Sequence, residues 1–223
     1  MPTAVLIDGG FFIKRFPRCY PKENSNDPKR TAQLIFETAL HHLNDKDYPG
    51  GRRQLYRIFF YDCPSLEKKV HWPISRQSHD YSRSNTAEFR RKLHDELRSM
   101  RKVALRLGHL SDYGEWRLKK EKLKELLHGS VQVSGLTDQD FDYSFRQKGV
   151  DMKIGLDIAS LSYKKLVDQI ILVSGDADFV PAAKLARREG MDFILDPMWN
   201  PIPENLNEHV DAVKSVCPNP SYR

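Results

Sequence analysis

Cysteine is scarce in this chain, and what there is cannot act together. Cys19, Cys63 and Cys217 are the three in 223 residues. They form no CxxC and no Cys/His ligand pair, which argues against a disulfide framework and against a structural zinc site. Long apolar runs are missing as well. No window approaches the ~18 consecutive apolar residues of a membrane span, so no membrane partner is expected. The first apolar run begins almost at residue 1, leaving no room for a signal peptide, and a cytoplasmic protein is expected. No GxxxxGK or GxGxxG occurs, which removes support for P-loop and dinucleotide-binding folds. A nucleophile elbow is also absent, so serine or cysteine hydrolysis lacks its usual signature. There are no internal repeats and no low-complexity tracts.

Positive charge is plentiful. The formal net charge is +6 and the sequence pI is near 9.1. Basic residues crowd the middle of the chain: Arg90, Arg91 and Lys92, then Arg98, Arg101, Lys102 and Arg106, then a run over 117–124. Such a concentration is the electrostatic footprint of a phosphate-rich partner. For 117–124 a solvated helix face laced with glutamates is an equal reading.

Hydrophobic patterning predicts one large α/β domain over 1–223, with an insertion at about 67–130. Residues 4–7 read as a first strand, 31–43 as a helix with Leu34, Ile35, Thr38, Ala39 and His42 on one face, and 55–61 as a second strand. Residues 71–85 show no periodicity and are expected to be a long loop. Helix is expected over 86–100, a strand over 103–110, and an amphipathic helix over 116–127. From Gln147 the pattern is regular: a helix over 152–161, a buried strand over 170–173, a helix over 178–189 capped by Gly190, a strand over 193–195 and a short helix over 204–213. Strand and helix alternating through short loops imply a parallel sheet with right-handed crossovers.

Three acidic motifs stand out on this frame. Ile7-Asp8-Gly9-Gly10 follows the first strand, Lys148-Gly149-Val150-Asp151 opens a helix, and Ser174-Gly175-Asp176-Ala177-Asp178-Phe179 follows a buried strand. The carboxyl edge of a parallel sheet is where sites are built. Carboxylates gathered there repel one another unless a hard cation offsets their charge. Each also has a plain reading: Asp-Gly is a common turn, and aspartate is a common N-cap, which suits Asp151 and Asp178. Asp176 has no such structural role in the sequence. Asp157, six positions after Asp151, projects roughly 120° away around the helix and ranks lower.

Taken jointly, these motifs, with Asp157, Pro181, Leu185 and Gly190, resemble the NYN domain of the PIN-like nuclease superfamily, in the branch called LabA-like. The resemblance covers the first dozen residues and about 147–197. It implies a Rossmann-like three-layer α/β/α sandwich with a central, mainly parallel sheet, plus the central helical and loop insertion. It also implies Mg2+ or Mn2+ held by Asp8, Asp151, Asp176 and Asp178, with Asp157 as a further acid and Ser174 as a supporting polar group. The implied activity is metal-dependent hydrolysis of phosphodiester bonds in RNA, single-stranded RNA included, with room for a homodimer. Lys148, Arg101, Lys102 and Arg106 are the expected backbone-holding cations, and Tyr61, Trp72, Tyr81 and Trp116 are candidate platforms for bases. One position departs from the family pattern: Phe11 stands where many relatives carry Asn. That departure keeps open a second reading, a catalytically weak RNA-binding or regulatory module of the same fold. A TOPRIM-like enzyme would share the Asp176/Asp178 pair but begins with Glu. A haloacid dehalogenase phosphatase needs a second Asp where Gly10 stands.

Overall fold

Alternation of apolar side chains along the buried strands decides the architecture. In the computed structural model, which describes residues 2–45 and 48–221, β1 (Thr3–Asp8) is buried on both faces. Val5 and Ile7 point into one apolar cluster, Ala4 and Leu6 into another. A strand with two apolar faces needs a covering layer on each side.

The elements that supply those layers run in order. After β1 come α1 (Gly9–Cys19), α2 (Pro28–His42), β2 (Leu55–Asp62), β3 (Lys69–His71), β4 (Ser78–Asp80), α3 (Asn85–Ser99), β5 (Val103–Leu107) and β6 (His109–Leu118). Then follow α4 (Lys120–Leu127), β7 (Phe141–Lys148), α5 (Val150–Tyr163), β8 (Gln169–Val173), α6 (Val180–Arg188), β9 (Asp192–Asp196), α7 (Glu204–Asn207) and β10 (Ala212–Val213). Helices α1, α2 and α3 cover one face through Phe12, Phe16, Ile35, Ala39, Leu93 and Leu97. Helices α5, α6 and α7 cover the other through Ile154, Ile158, Leu161, Ala183, Ala186 and Leu206. The result is the expected three-layer α/β/α sandwich.

The central sheet has six strands in the order β10-β9-β8-β1-β2-β5, and each neighbouring pair is parallel. The chain builds outward from β1 to β2 and β5, then returns to add β8, β9 and β10 on the other side. Strand order therefore reverses between β1 and β8. Crevices at such switch points, beyond the carboxyl ends of the strands, are where open α/β sheets bind ligands.

Several local expectations need correction. Residues 71–85 are not a long loop: β3 and β4 form an antiparallel hairpin, and a 3-10 turn covers Tyr81–Arg83. Trp116 lies in β6, which pairs with β7 as a second antiparallel hairpin, so the amphipathic helix begins only at Lys120. Within the stretch expected as an insertion, α3 and β5 are built into the sandwich, and the two hairpins are what project from it. The last expected helix shrinks to α7, and Ala212–Val213 pairs with β9 as a strand. Asp8-Gly9-Gly10 is not a turn into a loop; α1 starts at once, with Asp8 as its N-cap.

That start depends on a close approach. A Cβ at Gly9 would lie 2.6 Å from the Phe60 ring and from the Tyr61 carbonyl oxygen. Gly9→Ala should therefore cost roughly 1–3 kcal/mol through overpacking. A lowered urea midpoint at unchanged slope would register it; an unchanged midpoint would show that α1 shifts without cost.

Candidate functional site

Register places the acids before any side chain is considered. Ile7 pairs with Val173, so Asp8 and Ser174 are the next residues on adjacent strands at the switch point. Asp8 Oδ1 accepts from the Phe11 N–H at 3.0 Å, and Ser174 Oγ donates to Asp8 Oδ2 at 3.4 Å. Burial raises the Asp8 carboxyl to about 6, against partial relief from the Phe11 N–H, and the Asp151 and Asp62 carboxylates push it further the same way.

Asp151 reaches this edge from the other side of the sheet. Gly149 precedes α5 in the left-handed region at φ 80°, where a side chain is strained, and it serves as the helix cap without a side-chain bond. Asp151 is thus not the N-cap but lies in the first helical turn, exposed. Desolvation and then repulsion from Asp176 and Asp178 raise its pKa. A carboxylate near a helix N-terminus is normally stabilised in its charged form; here repulsion and desolvation win.

Asp176 and Asp178 are exposed on a 3-10 turn, Ala177–Phe179, that leads into α6. Asp176 does have a structural role: it caps this turn, its Oδ1 accepting from the Asp178 N–H at 3.0 Å. Asp178, read as an N-cap, is not one; α6 is preceded by Phe179 and has no side-chain cap. Ser174 Oγ also accepts from the Asp176 N–H at 3.4 Å, so one buried hydroxyl links the first acid to the third motif.

Four carboxylates are thereby linked electrostatically, with Asp151 between Asp8 on one side and Asp176 and Asp178 on the other. Among the described residues, no three His, Cys, Asp or Glu side chains are placed so that they could hold a metal ion as they stand. The chemistry of the donor set is still that of a hard divalent cation: oxygen ligands only and excess negative charge.

Asp157 belongs elsewhere. The Tyr61 hydroxyl donates to its Oδ2 at 2.8 Å and Arg106 Nε at 3.2 Å, so it is neutralised within the protein. Tyr61 itself is fully buried and cannot serve as a base platform. Arg106 is committed to that ion pair. Arg101 and Lys102 precede β5, at the edge of the sheet opposite the acids, and Lys102 Nζ donates to the Leu55 carbonyl. Lys148 alone of the expected cations adjoins the site, two residues before the start of Asp151's helical turn, with its ammonium 6.0 Å from the Tyr113 ring centroid.

Asp62 was missed by the sequence reading. It ends β2 as Asp8 ends β1, and that repeated strand-then-aspartate pattern was the available signal. It is fully buried, with Arg90 on Oδ1 and His94 Nε2 donating to Oδ2 at 2.9 Å. The far rim is formed by the loop after β9. Buried Asp196 accepts from His42 Nε2 at 2.8 Å and from the Met198 N–H at 2.7 Å, while Arg15 donates twice to the Met198 carbonyl, at 2.7 and 3.2 Å. Met198 and Trp199 both take positive φ, 47° and 59°. Trp199 is bound to Ser215 Oγ and to the Cys217 carbonyl, at 2.9 and 2.8 Å. This loop brings Asn200, beside the Phe11 ring, against Gly175.

Comparison with known proteins adds a family. The family described as NYN domain matches residues 60–209, which takes in Asp151, Asp176 and Asp178 and leaves Asp8 outside. Comparison with curated proteins gave no match. Among solved structures, a protein of unknown function from Vibrio parahaemolyticus is similar over 96% of this chain and 92% of its own, at 16% identity and a TM-score of 0.46. No helix among the described residues is long and apolar enough to cross a membrane.

Proposed function

This chain belongs to the NYN domain family, of PIN-like nuclease fold, and from that premise we propose that it is a divalent-metal-dependent nuclease hydrolysing phosphodiester bonds in RNA. The LabA-like branch is the subgroup its motifs favour. The observation that carries the reading is the placing of Asp8, Asp151, Asp176 and Asp178 around the switch point, where burial first, and repulsion among the acids second, holds the Asp8 and Asp151 carboxyls up.

Asp8, Asp151, Asp176 and Asp178 would hold Mg2+ or Mn2+, which when bound supplies charge neutralisation at the phosphate and a more acidic water. The chain's own residues do the positioning. The Phe11 N–H and the Ser174 hydroxyl fix both oxygens of Asp8. The Asp178 N–H fixes one oxygen of Asp176, leaving the other to face solvent. Lys148 stands ready for a non-bridging phosphate oxygen. Asp157, bonded to Tyr61 and Arg106, ties α5 to β2 and β5 and is given no part in the chemistry.

One feature favours the second reading, an RNA-binding module without turnover. The Phe11 ring fills space next to Gly175, 3.0 Å from where a Cβ there would stand, and offers no polar group to the site. The discriminating experiment is incubation of the purified protein with labelled single-stranded RNA and Mn2+ or Mg2+, beside EDTA and Asp176→Asn. Cleavage that needs both the metal and Asp176 supports the nuclease; binding with no cleavage in either protein supports the module.

A further inference from the structure

Two cavities lie outside the acidic cluster, between the hairpins that project from the sandwich. The inner one, about 280 Å³, is walled by His79, Tyr81 and Phe145, with Ser65, Arg90 and Gln147 at its polar side. The outer one, about 480 Å³, shares Tyr81 and Phe145 with it and adds Trp72 and Lys119. The two are therefore adjoining compartments divided by a pair of rings.

Position, polarity and charge say what these compartments fit. Tyr61 is the in-register neighbour of Asp8, and the inner cavity begins three residues later, at Pro64. Strand spacing and chain reach put Pro64 within roughly 15 Å of Asp8. Ser65 Oγ is buried without a hydrogen-bond partner among the described residues. An orphaned hydroxyl in a mostly apolar cavity is costly unless something polar completes it. The rings are held rigidly: His79 stands edge-on to Tyr81 at 4.6 Å, Trp72 stacks on Trp116 at 4.9 Å, and Trp116 Nε1 donates to the His71 carbonyl at 3.0 Å. Residues 64–148 hold 18 of the 36 Lys and Arg but only 12 of the 30 Asp and Glu, so they carry the chain's whole excess of six positive charges.

We infer that the inner cavity receives a nucleobase of a single-stranded nucleic acid whose backbone crosses the acidic edge, and that the outer one receives the next base along. Flat apolar walls suit the base faces, and the Ser65 hydroxyl and Gln147 amide suit its polar edge. Arg90, anchored on Asp62, places a cation beside the sugar-phosphate. The inference rests on the nucleic-acid reading of the acidic site, but not on turnover there.

Phe145 is 43% exposed, so its replacement spares the core. The full chain, kept in EDTA, is titrated with fluorescein-labelled single-stranded RNA, and the same RNA carrying 5-iodouracil is photo-crosslinked and mapped by mass spectrometry. Crosslinks at Tyr81, His79 or Phe145 are expected. Phe145→Ala should weaken binding roughly tenfold and Phe145→Trp should restore it. Binding unchanged in Phe145→Ala, crosslinks mapping only elsewhere, or no binding at all would overturn the inference. Crosslinks in the cavity without metal-dependent cleavage would leave it standing and remove the nuclease reading. Cleavage with no crosslink in the cavity would do the reverse.

Discussion

Replacing Asp8 by Asn should lower metal-dependent cleavage by about a thousandfold or more, and should make the metal-free protein more stable above pH 6. The first effect follows from removing a charged ligand worth several kcal/mol to a bound cation. The second follows from the site's electrostatics. Burial chiefly, with the Asp151 and Asp62 carboxylates adding, raises the Asp8 carboxyl from 3.8 to about 6. A carboxyl with a raised pKa binds its proton more tightly in the folded state than in the unfolded. Its stabilising contribution is complete below the unfolded value of 3.8 and is lost as pH rises through about 6. Ionisation at neutral pH thus costs at most about 3 kcal/mol. Asn still accepts from the Phe11 N–H as a helix cap, and it does not titrate. In EDTA, urea unfolding should show variant and wild type equal near pH 4 and the variant ahead by about 1–3 kcal/mol above pH 6. Added Mn2+ should then stabilise the wild type and leave the variant unmoved. Parallel pH profiles for the two proteins would sink the argument.

Asp62→Ala should be the most damaging single change for the fold. The carboxylate is fully buried and satisfies both Arg90 and the 4%-exposed His94. Removing one partner of a buried charged network leaves the others uncompensated, at a cost of about 3–5 kcal/mol. In a protein of this size that lowers Tm by roughly 10 °C. Arg90→Met, which leaves the Asp62–His94 pair intact, should cost clearly less. If the two variants melt together, the network is not what joins α3 to β2. Because Arg90 also lines the inner cavity, Asp62→Ala should weaken RNA binding even where the protein remains folded.

The parts of the fold that were legible in sequence are those whose signal is local and repeated. The apolar runs of β1, β2, β8 and β9 and the spacing of Ile154, Ile158 and Leu161 needed no distant partner to be read. Helix α1 escaped because Asp8-Gly9 reads as a turn, whereas Gly9 is demanded by the close Phe60 ring and opens the helix. Strand β7 alternates Phe141, Tyr143 and Phe145, a visible period of two. Its partner β6 lies more than twenty residues upstream, and nothing local announces the pairing. The acidic residues were found by type, but their surroundings were not. That Arg106 would neutralise Asp157, or that Lys102 would fall at the opposite edge, depends on which strands the crossover makes neighbours.

The loop after β9 ties regions that are far apart in sequence. Arg15 on α1 holds Met198, the segment around Ser215 to Cys217 holds Trp199, and His42 on α2 holds Asp196 just before them. Asn200 follows them and stands over Gly175. The position of Asn200 over Gly175 is thus held from behind, by a buried Met198 and a doubly bonded Trp199 that several otherwise unrelated segments grip. Strain there would be felt first as a displacement of Asn200 beside Gly175, and only later as unfolding.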